Sequence, residues 1–189
     1  MTEKLSEMTL EELWRLFPIR LTEHQAHWKD WYQEEASELL SLLPGDWVRG
    51  IYHIGSTAVE AIWAKPIVDI LVELSSDCCL KRACEILCTN GWTCMSRTDR
   101  RISLNKGYTD QGFAKQVFHL HLRYEGDKDE LYFRDYLREH PEAARAYEQL
   151  KLQLWKQYEY NRDGYTEAKT NFVHKITTLA KQESIRHAP

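Results

Sequence analysis

The chain has no long hydrophobic run. Its longest, Ile67 to Leu74, is broken by Asp69 and Glu73 and falls well short of the roughly 18 to 20 apolar residues that a membrane-spanning helix needs. A membrane-spanning helical protein is therefore excluded. Nor is there a surplus of positive charge: 25 Lys and Arg stand against 29 Asp and Glu, a formal net charge of −4. The overall basic field that carries non-specific nucleic-acid binding is missing, so nucleic acid is not the expected partner. The first ten residues, MTEKLSEMTL, lack the basic start and apolar stretch of a secretory signal. Internal repeats and low-complexity segments are absent as well.

Cysteine is confined to one short region, at Cys78, Cys79, Cys84, Cys88 and Cys94. An odd number in an ordinary globular composition implies free thiols in a reducing compartment, and the cytoplasm is the expected location. The Cys-x-x-Cys pairs of zinc ribbons do not occur. Cys84 and Cys88 sit one helical turn apart, where they read as small apolar residues lining a helix face.

What is present suffices for a packed core. The 189 residues are 43% apolar and include seven Trp and ten Tyr. A chain of this size removes roughly 70% of its unfolded surface from water on folding, and intrinsic disorder is excluded. One domain is expected over 1–189, with helices in 1–45, a sheet core in 46–125 and helices again in 126–184. Periodicity places the first helices over Met8 to Phe17 and from Thr22 or Glu23 to Leu43, the latter ended by Pro44-Gly45. Strands are expected over Trp47 to Ile54, Ile67 to Leu74, Trp92 to Ser96, Arg100 to Tyr108 and Lys115 to Arg123. A helix capped by Asp77 should fill Cys78 to Asn90. Three more follow: Leu131 to Glu139, one opened by Pro141 that shows Ala143, Tyr147, Leu150, Leu154 and Tyr158 on one face, and Gly164 to Gln182. The class is α+β: a mixed β-sheet with flanking helices and a helical C-terminal region.

The informative segment is IYHIGSTAVEAIWAKPIVDILVEL, residues 51–74. A strand ending in Gly55-Ser56, followed by a helix-permissive AVEAIWA, would aim backbone N–H groups and the Ser56 or Thr57 hydroxyl at an anion, phosphate being the obvious guest. Asp69 sits in the next, otherwise apolar strand, where a carboxylate is costly unless it is paired or binds a metal. Lys65, just before that strand, supplies a cation for phosphate or for Asp69. His119 and His121 occupy alternate positions on a strand and share a face, where they suit phosphate or metal.

These residues resemble the GrpB family, bacterial proteins with a nucleotidyltransferase-like fold. The resemblance rests on His53-Ile54-Gly55-Ser56-Thr57 with Ala64-Lys65-Pro66-Ile67-Val68-Asp69-Ile70. It extends to His119-Leu120-His121, to Phe133-Arg134-Asp135-Tyr136-Leu137-Arg138 and to Tyr165-Thr166-Glu167-Ala168-Lys169. It implies a protein that binds a nucleotide or another phosphate-containing metabolite, and allows Mg2+ or Mn2+ on Asp69 as metal ligand and catalytic carboxylate. Gly55, Ser56, Thr57, Lys65, His119, His121, Arg134 and Lys169 would contact the ligand, with Arg134 and Arg138 as a fork on phosphate.

Two departures accompany the resemblance. Nucleotidyltransferases generally carry a second acid two residues after the first, and that position is Leu71 here. Glu73 lies roughly 13 Å along the strand from Asp69, too far to share one metal readily. Where family members usually continue Val-Pro-Gly-Leu after the turn, this chain has Val59-Glu60-Ala61-Ile62, which puts a negative charge beside the expected anion site. The alternative function is therefore a non-catalytic nucleotide or phosphometabolite sensor that has lost the second carboxylate.

Overall fold

The computed structural model describes residues 5–186. The five strands are β1 (Val48–Ile54), β2 (Val68–Leu74), β3 (Thr93–Arg97), β4 (Arg101–Thr109) and β5 (Gly112–Tyr124), joined in one sheet of order β1-β2-β5-β4-β3. β2 and β5 are parallel, and the other neighbours are antiparallel. The helices are α1 (Leu10–Leu16), α2 (His27–Leu42), α3 (Leu80–Cys88), α4 (Asp129–Glu139), α5 (Pro141–Tyr158) and α6 (Arg162–Arg186). None of the described helices is long and apolar enough to cross a membrane.

Side-chain alternation along the three inner strands divides the sheet into two unlike faces. Val68, Ile70 and Val72 of β2, Phe118, Leu120 and Leu122 of β5, and Ile102 and Leu104 of β4 form the main core with Trp28 and Leu39 of α2 and Ala83 and Leu87 of α3. The residues between them face the other way. Across the ladder Asp69 lies beside His119, which lies beside Asn105, and the next row is Leu71, His121 and Ser103. The helices α4, α5 and α6 gather around a second cluster that includes Phe133, Leu137, Tyr147 and Ile176.

Three local expectations give way. Only Ser56–Ala58 form a 3₁₀ turn where a helix through AVEAIWA was expected, because Val59 and Ile62 are drawn out of helical register into the core of the C-terminal helices. α2 begins at His27 rather than near Thr22, since the Thr22 backbone is already paired with Ala64 in both directions at 2.9 Å. Asp77 does not cap α3; its N–H and that of Cys78 close a turn on Ser75, and the helix starts at Leu80 without a side-chain cap.

One cation sits on the apolar face. Lys106 of β4 donates to both carboxylate oxygens of Glu35 on α2 at 2.8 and 2.9 Å, and its ammonium lies 5.6 Å from the Trp92 ring centroid. Glu35 is 5% exposed. Burial pushes its pKa up, and Lys106 works against that rise. Breaking one side of such a pair leaves a desolvated charge, so Lys106→Ala is expected to cost about 3 kcal/mol at neutral pH. In that variant Glu35 takes up a proton readily on acidification, so the deficit, measured by urea unfolding at pH 7 and pH 5, shrinks at the lower pH.

Candidate functional site

β1 delivers the chain to Gly55, whose φ of 70° and ψ of −170° favour glycine. A second constraint acts at the same atom. A Cβ on Gly55 would stand 2.3 Å from Oδ2 of Asp69 and 2.9 Å from its Cγ. The turn therefore lies directly against the carboxylate, and only a residue without a side chain fits. With a single 3₁₀ turn after it, there is no helix dipole to hold an anion.

The turn is fastened from outside by α4. Arg134 donates to the His53 carbonyl at 2.9 Å, and Arg138 donates twice to the Ala58 carbonyl at 3.0 and 2.7 Å. Thr57 is buried and bonds to Nε2 of His53 at 2.9 Å. Further along, α5 grips both sides of one residue: Glu148 accepts the Trp63 N–H at 2.8 Å, and Lys151 donates to the Trp63 carbonyl.

Asp69 is held by the two imidazoles. His119 Nδ1 lies 3.1 Å from Oδ1 of Asp69, and His121 Nε2 lies 3.8 Å from the same oxygen. Burial alone would raise the Asp69 pKa, but hydrogen bonding from His119 and then His121 outweighs it and holds the carboxyl well below its usual range. Burial pushes His119 down, against the pull of Asp69. The tautomers follow from the partners. An ionised Asp69 only accepts, so His119 Nδ1 carries the proton and its Nε2 accepts from the Tyr108 hydroxyl at 2.8 Å. The Tyr108 oxygen in turn accepts from Arg162 at 2.7 Å. The result is one chain of donors running from α6 through β4 and β5 to the carboxylate on β2.

Around this chain lies a cavity of about 970 Å³. Four cationic side chains line it, Lys65, Lys151, Arg162 and Lys169, against two carboxylates, Asp69 and Asp163. The ammonium groups of Lys65 and Lys169 lie 5.1 and 4.4 Å from the ring centroid of Tyr165, which is fully buried. Burial, then repulsion from Lys169 and Arg162, pushes Lys65 down to about 7; burial pushes Lys169 down to about 8. Burial, then Lys169, brings Lys151 down to about 7.

Of the residues singled out from sequence, Gly55, Ser56, Lys65, Asp69, His119, His121 and Lys169 line this cavity. Thr57 and Arg134 do not. They line a smaller pocket, together with Arg138 and Glu60. The expected arginine fork on phosphate is corrected accordingly: both guanidiniums are committed to backbone carbonyls because α4 must hold the turn. Glu60 puts no charge into the cavity. Sequence reasoning missed Tyr108, Lys151 and Arg162. Lys151 did leave a signal, since it stands four residues after Tyr147 and three before Leu154, inside the apolar stripe of α5.

As a metal centre the residues fit poorly. Hard divalent cations require several oxygen ligands, and Asp69 is the carboxylate at the centre of the site. Leu71, in the second acid position, is fully buried against Ile54 and Leu131, and Glu73 accepts the Gly126 N–H at 3.0 Å. The inner imidazole nitrogens are turned to Asp69, and the outer ones face Tyr108 and Arg123. Among the described residues no group of three or more His, Cys, Asp or Glu is arranged to hold a metal ion.

Comparison with known proteins agrees with the fold. The model of the GrpB protein family matches residues 18–179. Similar proteins include the UPF0157 protein YqkA of Bacillus subtilis, 32% identical over 187 residues that make up 96% of this chain and 53% of that protein. Glutamate-rich protein GrpB of Alkalihalophilus pseudofirmus is 35% identical over 164 residues, 84% of this chain and 93% of that protein. The chain thus spans about half the length of the first relative and nearly all of the second. Among solved structures, the conserved protein GrpB from Enterococcus faecalis superposes with a TM-score of 0.75 at 29% identity, over 87% of this chain and 99% of that one.

The contact between Gly55 and Asp69 sets up a double-mutant test. Gly55→Ala is expected to lose about 2 to 4 kcal/mol, from the left-handed backbone and from the clash with the carboxylate together. In an Asp69→Ala background, with the obstructing carboxylate gone, the same change should cost only about 1 to 2 kcal/mol, mostly the backbone penalty, because the Cβ retained at position 69 still lies 3.0 Å away. Denaturant unfolding of the four proteins measures the coupling.

Proposed function

The chain belongs to the GrpB family, and from that membership and the cation-rich cavity we propose that it binds the phosphate of a nucleotide or another phosphorylated small molecule. The observation that carries this reading is the charge balance: four cationic side chains face two carboxylates, and Asp69 is already occupied by two imidazoles. Lys65 and Lys169 act as point charges on the phosphate. Arg162 adds planar donors and is held in place by its bond to Tyr108. Ser56 supplies a hydroxyl at the edge of the cavity.

In this reading Asp69 fixes the tautomers and positions of His119 and His121, and the cations of the protein neutralise the phosphate where a pair of Mg2+ or Mn2+ ions does so in an active transferase. Leu71 in the second acid position, which leaves Asp69 as the one carboxylate of the strand pair, favours binding over nucleotidyl transfer. The experiment is a thermal-shift and calorimetric screen of inorganic phosphate, pyrophosphate and nucleoside phosphates, with and without Mg2+ and Mn2+. A ligand at 100 times its Kd adds about 2.7 kcal/mol of stability. Binding without added metal that is lost in Lys65→Met and Lys169→Met supports the reading. Absence of binding by any phosphorylated compound sinks it, and binding that requires Mg2+ and disappears with Asp69→Asn points to metal-dependent transfer instead.

Proton linkage gives a further prediction. The lysines are charged below their pKa values of about 7 and about 8 in the free protein, and a bound anion stabilises the charged form. Affinity should therefore be highest below pH 7 and fall as pH rises toward 9. Binding at pH 8 should take up protons, visible as a dependence of the calorimetric enthalpy on buffer ionisation heat.

A further inference from the structure

The cavity does not end at the lysines. It continues between α1 and the β3–β4 end of the sheet, where Leu10, Leu13, Trp14 and Phe17 form one wall and Met95 stands in the lining as well. Leu10, Leu13 and Trp14 share one face of α1, and Phe17 continues the spacing just past the end of the helix. Phe17 is buried, whereas the other three are not, and their apolar face is turned into the cavity. Leu10 is 54% exposed and Met95 59%, and large apolar side chains left open at a pocket mark a binding surface.

The apolar wall and the charged end share a residue. Phe17 lies 4.8 Å from the Tyr108 ring, and Tyr108 is the tyrosine that links Arg162 to His119. The space is thus one compartment with two chemistries. Its volume of about 970 Å³ stands at the upper end of the roughly 300 to 1,000 Å³ usual for small-molecule pockets, far more than a phosphate group alone would fill. With all four cations in their charged forms, as a bound anion favours, they exceed the two carboxylates by two, and this also narrows the head group. A phosphomonoester carries close to two negative charges at neutral pH, a diester only one.

We propose that the ligand is amphipathic: a phosphomonoester whose esterified group is apolar and at least the size of an aromatic ring, with its phosphate on Lys65, Lys169 and Arg162 and its body against Leu10, Trp14 and Met95. This inference rests on the phosphate-binding reading and specifies its substrate class. A polar body such as a nucleoside would leave the α1 wall largely unused.

The test compares inorganic phosphate, phenyl phosphate and adenosine monophosphate by calorimetry at pH 7 and constant ionic strength, in wild type, Trp14→Ala, Leu10→Ser and Lys169→Met, each first checked for a cooperative melt. Leu10→Ser keeps the test usable if Trp14→Ala fails to fold, because Leu10 is already more than half exposed. Phenyl phosphate is expected to bind at least ten-fold more tightly than inorganic phosphate. Trp14→Ala or Leu10→Ser should remove most of that advantage and leave the affinity for inorganic phosphate within two-fold, whereas Lys169→Met should weaken all three ligands. If inorganic phosphate binds but phenyl phosphate binds no better, or if adenosine monophosphate is the tightest of the three, the amphipathic ligand is refuted and the phosphate site stands. If none of the three binds, the phosphate-binding reading fails and this inference falls with it.

Discussion

A carboxylate set into a central strand can remain ionised only if its surroundings replace the water it has lost. Asp69 meets that requirement through a hydrogen bond from His119 and the nearby imidazole of His121 at 3.8 Å, both on the neighbouring parallel strand, because the register places His119 directly beside it and His121 two residues on. Much else follows from that arrangement. The acceptor-only carboxylate dictates which nitrogen of His119 bears the proton, and this dictates that Tyr108 donates to His119 and receives from Arg162. The same carboxylate occupies the space where a Cβ of residue 55 would be. Asp69 keeps its charge and draws Lys65 and Lys169 toward their charged forms, but four cationic side chains outnumber the two carboxylates of the cavity, and positive potential remains.

Much of the sheet could be read from the chain because its signals are local. The alternation of β2, β4 and β5 and the turn residues between them mark strands directly, and each observed strand overlaps its expected range closely. Expectations failed where tertiary contacts overrode local preference. The segment after Gly55 has helix-permissive composition, yet Val59 and Ile62 gain more by burial among α4, α5 and α6 than one additional helical turn would supply. Thr22 resembles a helix cap, but its backbone is claimed by Ala64.

The site was legible in part for the same reason. Gly55, Asp69 and the histidine pair stand out because each breaks a local rule: a glycine at a strand end, an acid in an apolar run, two histidines in alternation. Lys65 stood out as a cation just before the acid-bearing strand, Lys169 came from family resemblance, and the structure brings them together over one tyrosine ring. Arg162 and Tyr108 break no rule in the sequence, and they meet only because α6 returns across the end of β4. Arg134 misled because a guanidinium suited to phosphate is equally suited to a carbonyl, and spacing along a helix does not say which it will find.

The cavity's walls come from α1, from the turn before β2, from the strand residues up to His121 and from α6. These segments are spread over most of the chain, so the loop-closure entropy of every long-range contact has to be met before the compartment exists. During synthesis on the ribosome the sheet can begin to pair while α6 is still inside the exit tunnel, but Arg162 and Lys169 reach the site only after that helix has emerged. A ligand gripped by those two residues would therefore be unable to template early folding. It would select molecules in which α6 has already packed, and pass over nascent chains or chains truncated before that helix.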